Sequence, residues 1–179
     1  MTDEISVLVK NAQNGDTQAF GSLYSLFLRK IYRFVYFMVE SETLAEDIAQ
    51  NTFVKAWKAL PVFSQKKGTF QAYLFSIARN LVMDHFRQKK TISVDLDFVT
   101  NIESSENIEE QTINGEEKQQ VKQAINKLDD KEKQMIILRY FEELPMGDIA
   151  KTFTMEEGAV RVRIFRILRK LKEILGGKI

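Results

Sequence analysis

DIAKTFTMEEGAVRVRIFRILRKLKEIL, residues 148 to 175, is the stretch on which the fold turns. From Gly158 onward it carries six Arg or Lys residues and one acid, Glu173. Val160, Ile164, Ile167, Leu168, Leu171, Ile174 and Leu175 fall within an arc of about 120° on a helix, and such a stripe must be buried. Arg161 and Lys172 flank one edge of it, Arg163 and Lys170 the other. Arg166 and Arg169 point away, and so do Val162 and Phe165. A lipid headgroup layer accepts basic amphipathic helices. The residues ahead point elsewhere: Ile149 and Ala150, Phe153 and Met155, then Val160 have the spacing of a helix-turn-helix. In that unit the second helix enters the major groove of DNA by its N-terminus. A helical hairpin with a solvated basic face shares much of the pattern, so the pattern alone leaves both open.

The composition narrows the chemistry. The 179 residues are 44% apolar, enough for packed cores. With no cysteine and a single histidine, His85, the chain offers no thiolate site, no disulfide and little basis for a zinc site or catalytic triad. No metal, cofactor or enzymatic activity is expected. MTDEISVLVK does not read as a signal peptide, and no apolar run approaches the roughly 18 residues that cross a bilayer. A cytoplasmic protein without membrane insertion is expected.

The formal net charge of +1 hides an uneven distribution. Residues 1 to 90 hold 12 Lys or Arg against 8 acids, residues 91 to 117 hold none against 8, and residues 118 to 179 hold 14 against 9. The middle stretch is rich in Ser, Asn and Thr and has no sustained helical or strand period, so it reads as a linker between two basic lobes. Such an acidic linker is expected to lie over the basic lobes and weaken duplex binding by the free chain.

Elsewhere the periodicity is helical. Asn14-Gly15-Asp16 forms a turn before an aromatic-rich helix over 17 to 39. Ser41 can cap a helix in which apolar residues recur until Pro61. Phe63 to Gly68 is a basic loop, and Thr69 can cap a helix to about Lys90 with Phe70, Leu74, Ile77 and Leu81 inward. Val121, Ala124, Ile125 and Leu128 mark a short helix, and Asp129 with Glu132 forms a capping box for the next. The chain is all-α: two small helical domains, 1 to 92 and 118 to 179, joined by an acidic flexible linker, 93 to 117, with the helix-turn-helix in the second.

On the 70 to 90 helix the arc opposite the core gathers Ser76, Arg79, Asn80, Met83 and Arg87, with Tyr73 at its border and Lys66, Lys67, Lys89 and Lys90 at the ends. Cations that hold a backbone, a ring that stacks and an amide that bonds a base edge suit single-stranded DNA. Phe70, Phe75 and Phe86 are expected in the core, and His85 at its edge.

AFGSLYSLFLRKIYRFVYFM, AEDIAQNTFVKAWKAL, FQAYLFSIARNLVMDHFRQKK and the region from Leu128 to Leu171, in this order, resemble the extracytoplasmic-function (ECF) sigma factors of bacterial RNA polymerase. The resemblance implies a first lobe, region 2, that docks on core polymerase and takes the -10 element as single strand. It implies a second lobe, region 4, that reads the -35 element as duplex. The docking face would be Asp47, Gln50, Asn51, Val54 and Lys58. The -10 residues would be Phe63, Lys66, Lys67, Tyr73, Arg79, Asn80, Asp84 and Arg87, with a flipped base held between Asn80 and the Phe63 to Thr69 loop. The -35 residues would be Arg161, Val162, Arg163, Phe165, Arg166 and Arg169. An anti-sigma protein is implied as a further partner. Several positions depart from the family's pattern: Tyr73 for Trp, Asn51 for an acid, Thr154 for a turn Gly, Pro145 and Gly147 at a helix start, and Val162 and Phe165 on the reading face. A stand-alone dimeric duplex-binding regulator would leave the 41 to 60 helix without a docking role, and a membrane-surface or protein-binding scaffold would bind anionic vesicles without binding promoters.

Overall fold

The computed structural model describes residues 2–94 and 114–176, and all regular structure among them is helical. The first lobe is α1 (Thr2–Gln13), α2 (Thr17–Val39), α3 (Glu42–Ala59) and α4 (Phe70–Val94). The second is α5 (Asn114–Asn126), α6 (Asp130–Ile136), a π-helical turn (Ile137–Phe141), α7 (Met146–Phe153) and α8 (Glu157–Ile174). Helices α4 and α5 both extend into the stretch read as linker. The residues between them, and the idea that this acidic stretch covers the lobes, lie outside the described residues.

Caps place the helices. Asp16 Oδ1 accepts from the Gln18 and Ala19 amides at 2.9 and 3.0 Å and starts α2. Ser41 starts α3, which ends where Pro61 sits in a 3-10 turn. Thr69 Oγ1 accepts from the Ala72 amide at 3.1 Å and starts α4. The capping box on α6 is complete: Glu132 N–H donates to Asp129 Oδ1 at 2.8 Å, and Asp129 N–H to Glu132 Oε2 at 3.3 Å. Helix α1 was not anticipated. Its Gln13 Nε2 donates to the Leu60 and Phe63 carbonyls at 3.0 and 2.8 Å and so fixes the end of α3 and the loop beyond it.

The core of the first lobe is aromatic. Phe34 and Phe75 meet edge to face at 5.4 Å, Phe27 and Phe70 at 5.9 Å. Each such side chain contributes about 1.5–3 kcal/mol of burial, and the ring geometry adds to that. On α4 Phe70 and Leu74 are buried as expected, but Ile77 and Leu81 are only half-buried. Phe75, Ala78 and Val82 are buried in their place, because α4 packs on α2 and α3 along one side and on α7 along another. His85 is half-buried beside Phe86.

In the second lobe Val160, Ile164, Ile167 and Leu171 of α8 are buried against Met135, Leu138 and Ile149. Leu168, assigned to the same stripe, lies at its margin and is exposed. Lys170 Nζ donates to Glu132 Oε2 at 2.6 Å and ties α8 to α6. Helix α7 starts at Met146, capped by no side chain, with the Pro145 carbonyl accepting from the Asp148 and Ile149 amides.

The turn between α7 and α8 closes at Thr154, with φ 53° and ψ 51°. Its N–H donates back to the Ala150 and Lys151 carbonyls, and the Met155 N–H reaches the Ala150 carbonyl at 2.8 Å. A β-branched residue in the left-handed region is strained, and Thr154 is exposed, with no packing to offset the cost. Thr154→Gly is therefore expected to raise the unfolding free energy by about 1 kcal/mol, read by chemical denaturation. An unchanged or lower value would show that the turn is not strained in solution.

Candidate nucleic-acid and polymerase interfaces

Three separate faces remain after the cores are packed. On α8, Arg161, Val162, Phe165, Arg166 and Arg169 are exposed and recur along one side of the helix, while Arg163 is half-covered. Phe165 is 68% exposed and Val162 53%, one turn apart among guanidinium groups. Arg161 pairs with Glu157 and Arg169 with Glu173 at 3.5 Å. At the start of the helix Gly158 has nothing within 4 Å of where a Cβ would stand, and Ala159 is exposed and small. A backbone or a base edge can thus approach this end closely.

The second face is on α3. Asp47, Gln50, Asn51, Val54 and Lys58 are all exposed, opposite the buried Ala45, Ile48, Ala49, Phe53 and Ala56. Val54 is 48% exposed and borders an apolar groove of about 480 Å³. Phe20 and Tyr24 of α2 form the groove's other wall with Trp57 and Phe53; the paired rings lie 4.7 Å apart in each case. Sequence reading missed Phe20 and Tyr24, although two aromatic residues four apart at the margin of a helical stripe were the available signal.

The third face joins the Phe63 loop to α4. Phe63 packs tilted against Tyr73, ring centroids 4.7 Å apart, beside a cavity of about 230 Å³ whose wall includes Gly68, Thr69 and Ala72. The Tyr73 hydroxyl is buried with no hydrogen-bond partner among the described residues, and burial pushes its pKa up. Asn80, Lys66 and Arg87 are exposed, Asp84 is half-buried, and Arg87 pairs with Asp84 at 3.3 Å. Lys67 stands in the 3-10 turn Gln65–Lys67.

Arg79 is placed differently from a free cation. Its Nε donates to Gln134 Oε1 of α6 at 3.0 Å, its guanidinium lies 4.7 Å from the Phe153 ring centroid, and burial lowers its pKa. The second lobe is thus packed on the arc that was read as single-strand binding. Arg33 on α2 continues this contact. Its Nε donates to Glu142 Oε1 at 2.6 Å, and its Nη2 to Glu142 Oε2 and the Phe141 carbonyl at 2.9 and 2.7 Å. Burial pushes the Glu142 carboxyl up from its ordinary value, against the pull of Arg33. Among the described residues no group of three or more His, Cys, Asp or Glu is arranged to hold a metal ion.

Two helical lobes, one with a helix-turn-helix, define a nucleic-acid-binding protein with a separate apolar groove. Comparison with known proteins gives the family. The Sigma-70 region 2 model matches residues 23–92 and the Sigma-70 region 4 model residues 118–171. The ECF RNA polymerase sigma factor BldN of Streptomyces coelicolor is 30% identical over 173 residues, covering 94% of this chain and 64% of that protein's length. SigW of Bacillus subtilis is 29% identical over 180 residues, covering 93% of this chain and 94% of SigW. In fold the chain is similar to CnrH, solved with the cytosolic domain of CnrY, at a TM-score of 0.73 and 24% identity over 98% of this chain and 99% of that one. RpoE of Bartonella quintana, solved with the anti-sigma factor NepR, gives 0.75 and 24% over 91% of this chain and 100% of RpoE. The chain belongs to the ECF sigma factors, which confer promoter recognition on bacterial RNA polymerase.

If Arg161 and Arg166 lie on phosphates, replacing either by Ala should lower the salt slope of duplex binding by about 1, measured by anisotropy titrations at several salt concentrations. A slope identical to the parent's removes that residue from the interface.

Proposed function

We propose that residues 1 to 92 form the polymerase-docking and -10-binding domain and residues 118 to 179 the -35-binding domain. Asp47, Gln50, Asn51, Val54 and Lys58, with the groove lined by Phe20, Tyr24 and Trp57, take a polymerase element. Arg161, Val162, Phe165 and Arg166 face the bases or phosphates of the -35 major groove, with Arg163 and Arg169 on the backbone. The two exposed apolar side chains suit thymine methyl groups. Asn80, Tyr73 and the Phe63 loop receive a base from the melted -10 strand, with Lys66, Lys67, Arg79, Asp84 and Arg87 around it.

The observation that carries this reading is the α2–α3 groove beside exposed Val54. A duplex-binding regulator has no use for an apolar docking site on its other lobe. Unstacking costs a few kcal/mol per base, and capture in the loop pocket compensates it, so opening needs no nucleotide hydrolysis by this chain. Bond making belongs to the polymerase. Among the described residues no helix is long and apolar enough to cross a membrane, and we place the chain in the cytoplasm with its polymerase. CnrH and RpoE were each solved bound to a regulatory partner, and an anti-sigma protein is proposed for this chain.

Run-off transcription with purified core polymerase on a random promoter library tests the whole assignment, with discrete start sites as the expected result. Val54→Asp should weaken core binding at least about tenfold, since a charge in an apolar groove costs more than 1.4 kcal/mol. Asn80→Ala should leave core binding intact and slow open-complex formation by up to about tenfold, the worth of one hydrogen bond. Equal losses in both steps would reject Asn80 as a base contact.

A further inference from the structure

Holding phosphates asks only for cations, yet the outward face of α8 also carries two apolar side chains, Phe165 at 68% exposure and Val162 at 53%. Neither donates or accepts a hydrogen bond, so neither can tell one base from another by the polar pattern of its edge. The apolar group on the major-groove edge of a base pair is the 5-methyl of thymine. 5-Methylcytosine presents the same group.

The surroundings fit a nucleic-acid strand. Val162 borders an open hollow of about 610 Å³ whose lining includes Gly158, Ala159, Arg163 and Arg166, and Phe165 borders a second, of about 310 Å³, with Arg166, Arg169 and Lys170. The acids at their margins, Glu132 and Glu173, are already paired with Lys170 and Arg169. Cations beside small residues suit a phosphate backbone that must come close, and Gly158 has nothing within 4 Å of where a Cβ would stand. Each apolar side chain on α8 therefore stands among cations, unlike Val54, whose groove is walled by rings. Three residues at about 1.5 Å of rise set Val162 and Phe165 about 4.5 Å apart along the helix, between one and two steps of a strand with about 3.4 Å per nucleotide.

We infer that Val162 and Phe165 read pyrimidine 5-methyl groups at two positions within three consecutive base pairs, so that this chain ranks duplex elements by methyl content and 5-methylation of cytosine there strengthens binding. The inference rests on the assignment of α8 to the -35 duplex, and adds to it the group that is read and a covalent mark that tunes it. Burying one methyl is worth about fourfold in affinity. That increment belongs to the methyl and not to base pairing, so thymine over uracil and 5-methylcytosine over cytosine should show the same factor.

For the test, the full chain with purified core polymerase is offered duplexes randomised upstream of a constant, pre-opened downstream segment. The selected element is resynthesised with single-base replacements, and dissociation constants are read by fluorescence anisotropy. Deoxyuridine should weaken binding about fourfold at each of two thymines no more than two base steps apart, and less than about twofold elsewhere. With cytosine at either position, adding the 5-methyl group should regain about fourfold. Val162→Ser should abolish the methyl increment at one position and Phe165→Ala at the other. The base replacements act on the unaltered chain, so they decide the matter even where a variant folds poorly.

Equal affinity for thymine and deoxyuridine elements overturns the methyl reading, and so does a selected element without thymine. Phe165→Ala that weakens assembly with core polymerase in the absence of DNA, with no methyl increment in the parent, overturns it too and puts the pair on a protein surface. Arg161→Ala and Arg166→Ala separate the two assignments. A lowered salt slope with no methyl increment keeps α8 on the duplex and removes the methyl reading; an unchanged slope with no upstream preference removes both.

Discussion

Glu142 has one place to put its charge. Its side chain is fully covered, at the end of the π-helical turn, where the Arg33 fork from the other lobe bonds it and Lys30 adds a weaker attraction. A carboxylate taken out of water without such a partner costs several kcal/mol, so the pair fixes how the lobes can meet. Its strength is bounded from both sides. The Arg33 side chain is 43% exposed, so water screens part of the attraction, and the fully buried figure of about 3–5 kcal/mol overstates the loss on breaking it. It still exceeds the roughly 0–1 kcal/mol of a surface pair, because the acid stays buried when the base is gone.

The rest of the interface has the same character. Phe37 against Phe141 at 5.0 Å supplies an apolar patch, and around it are hydroxyls, an amide and a guanidinium bonded to one another. Interfaces between domains that move are more polar than the cores they join. The buried apolar side chains nevertheless form one continuous cluster through both lobes, from Phe34 and Phe75 to Met135 and Ile167, all essentially inaccessible to solvent.

The elements with local signals were legible in the sequence. Asp16, Ser41, Thr69 and the Asp129–Glu132 box start helices where they were expected to, and Thr154, noted as standing in place of a turn Gly, is left-handed. Helix α1 was missed because its acidic opening obscures a short stripe, Ile5, Leu8, Val9 and Ala12, of which only the last two are buried. The π-helical turn has no sequence mark at all. The packing of the second lobe on α4 was not anticipated, for a physical reason. Thr69, Arg79 and Asp148 are the residues a solvated surface also uses, and polar contacts between distant segments leave no period. The one trace was steric: Ala72, small and buried on that face, permits the close approach of α7.

That packing also explains why one arginine among many is placed apart. Exposed guanidinium groups on α8 are held by acids one turn away, Glu157 and Glu173, and those weak surface pairs yield to a phosphate with little loss. Arg79 is held by a ring and a neutral amide instead, and burial already lowers its pKa. Its charge is therefore bound into the contact between the lobes, whereas those of Arg161 and Arg169 stay at the surface of α8.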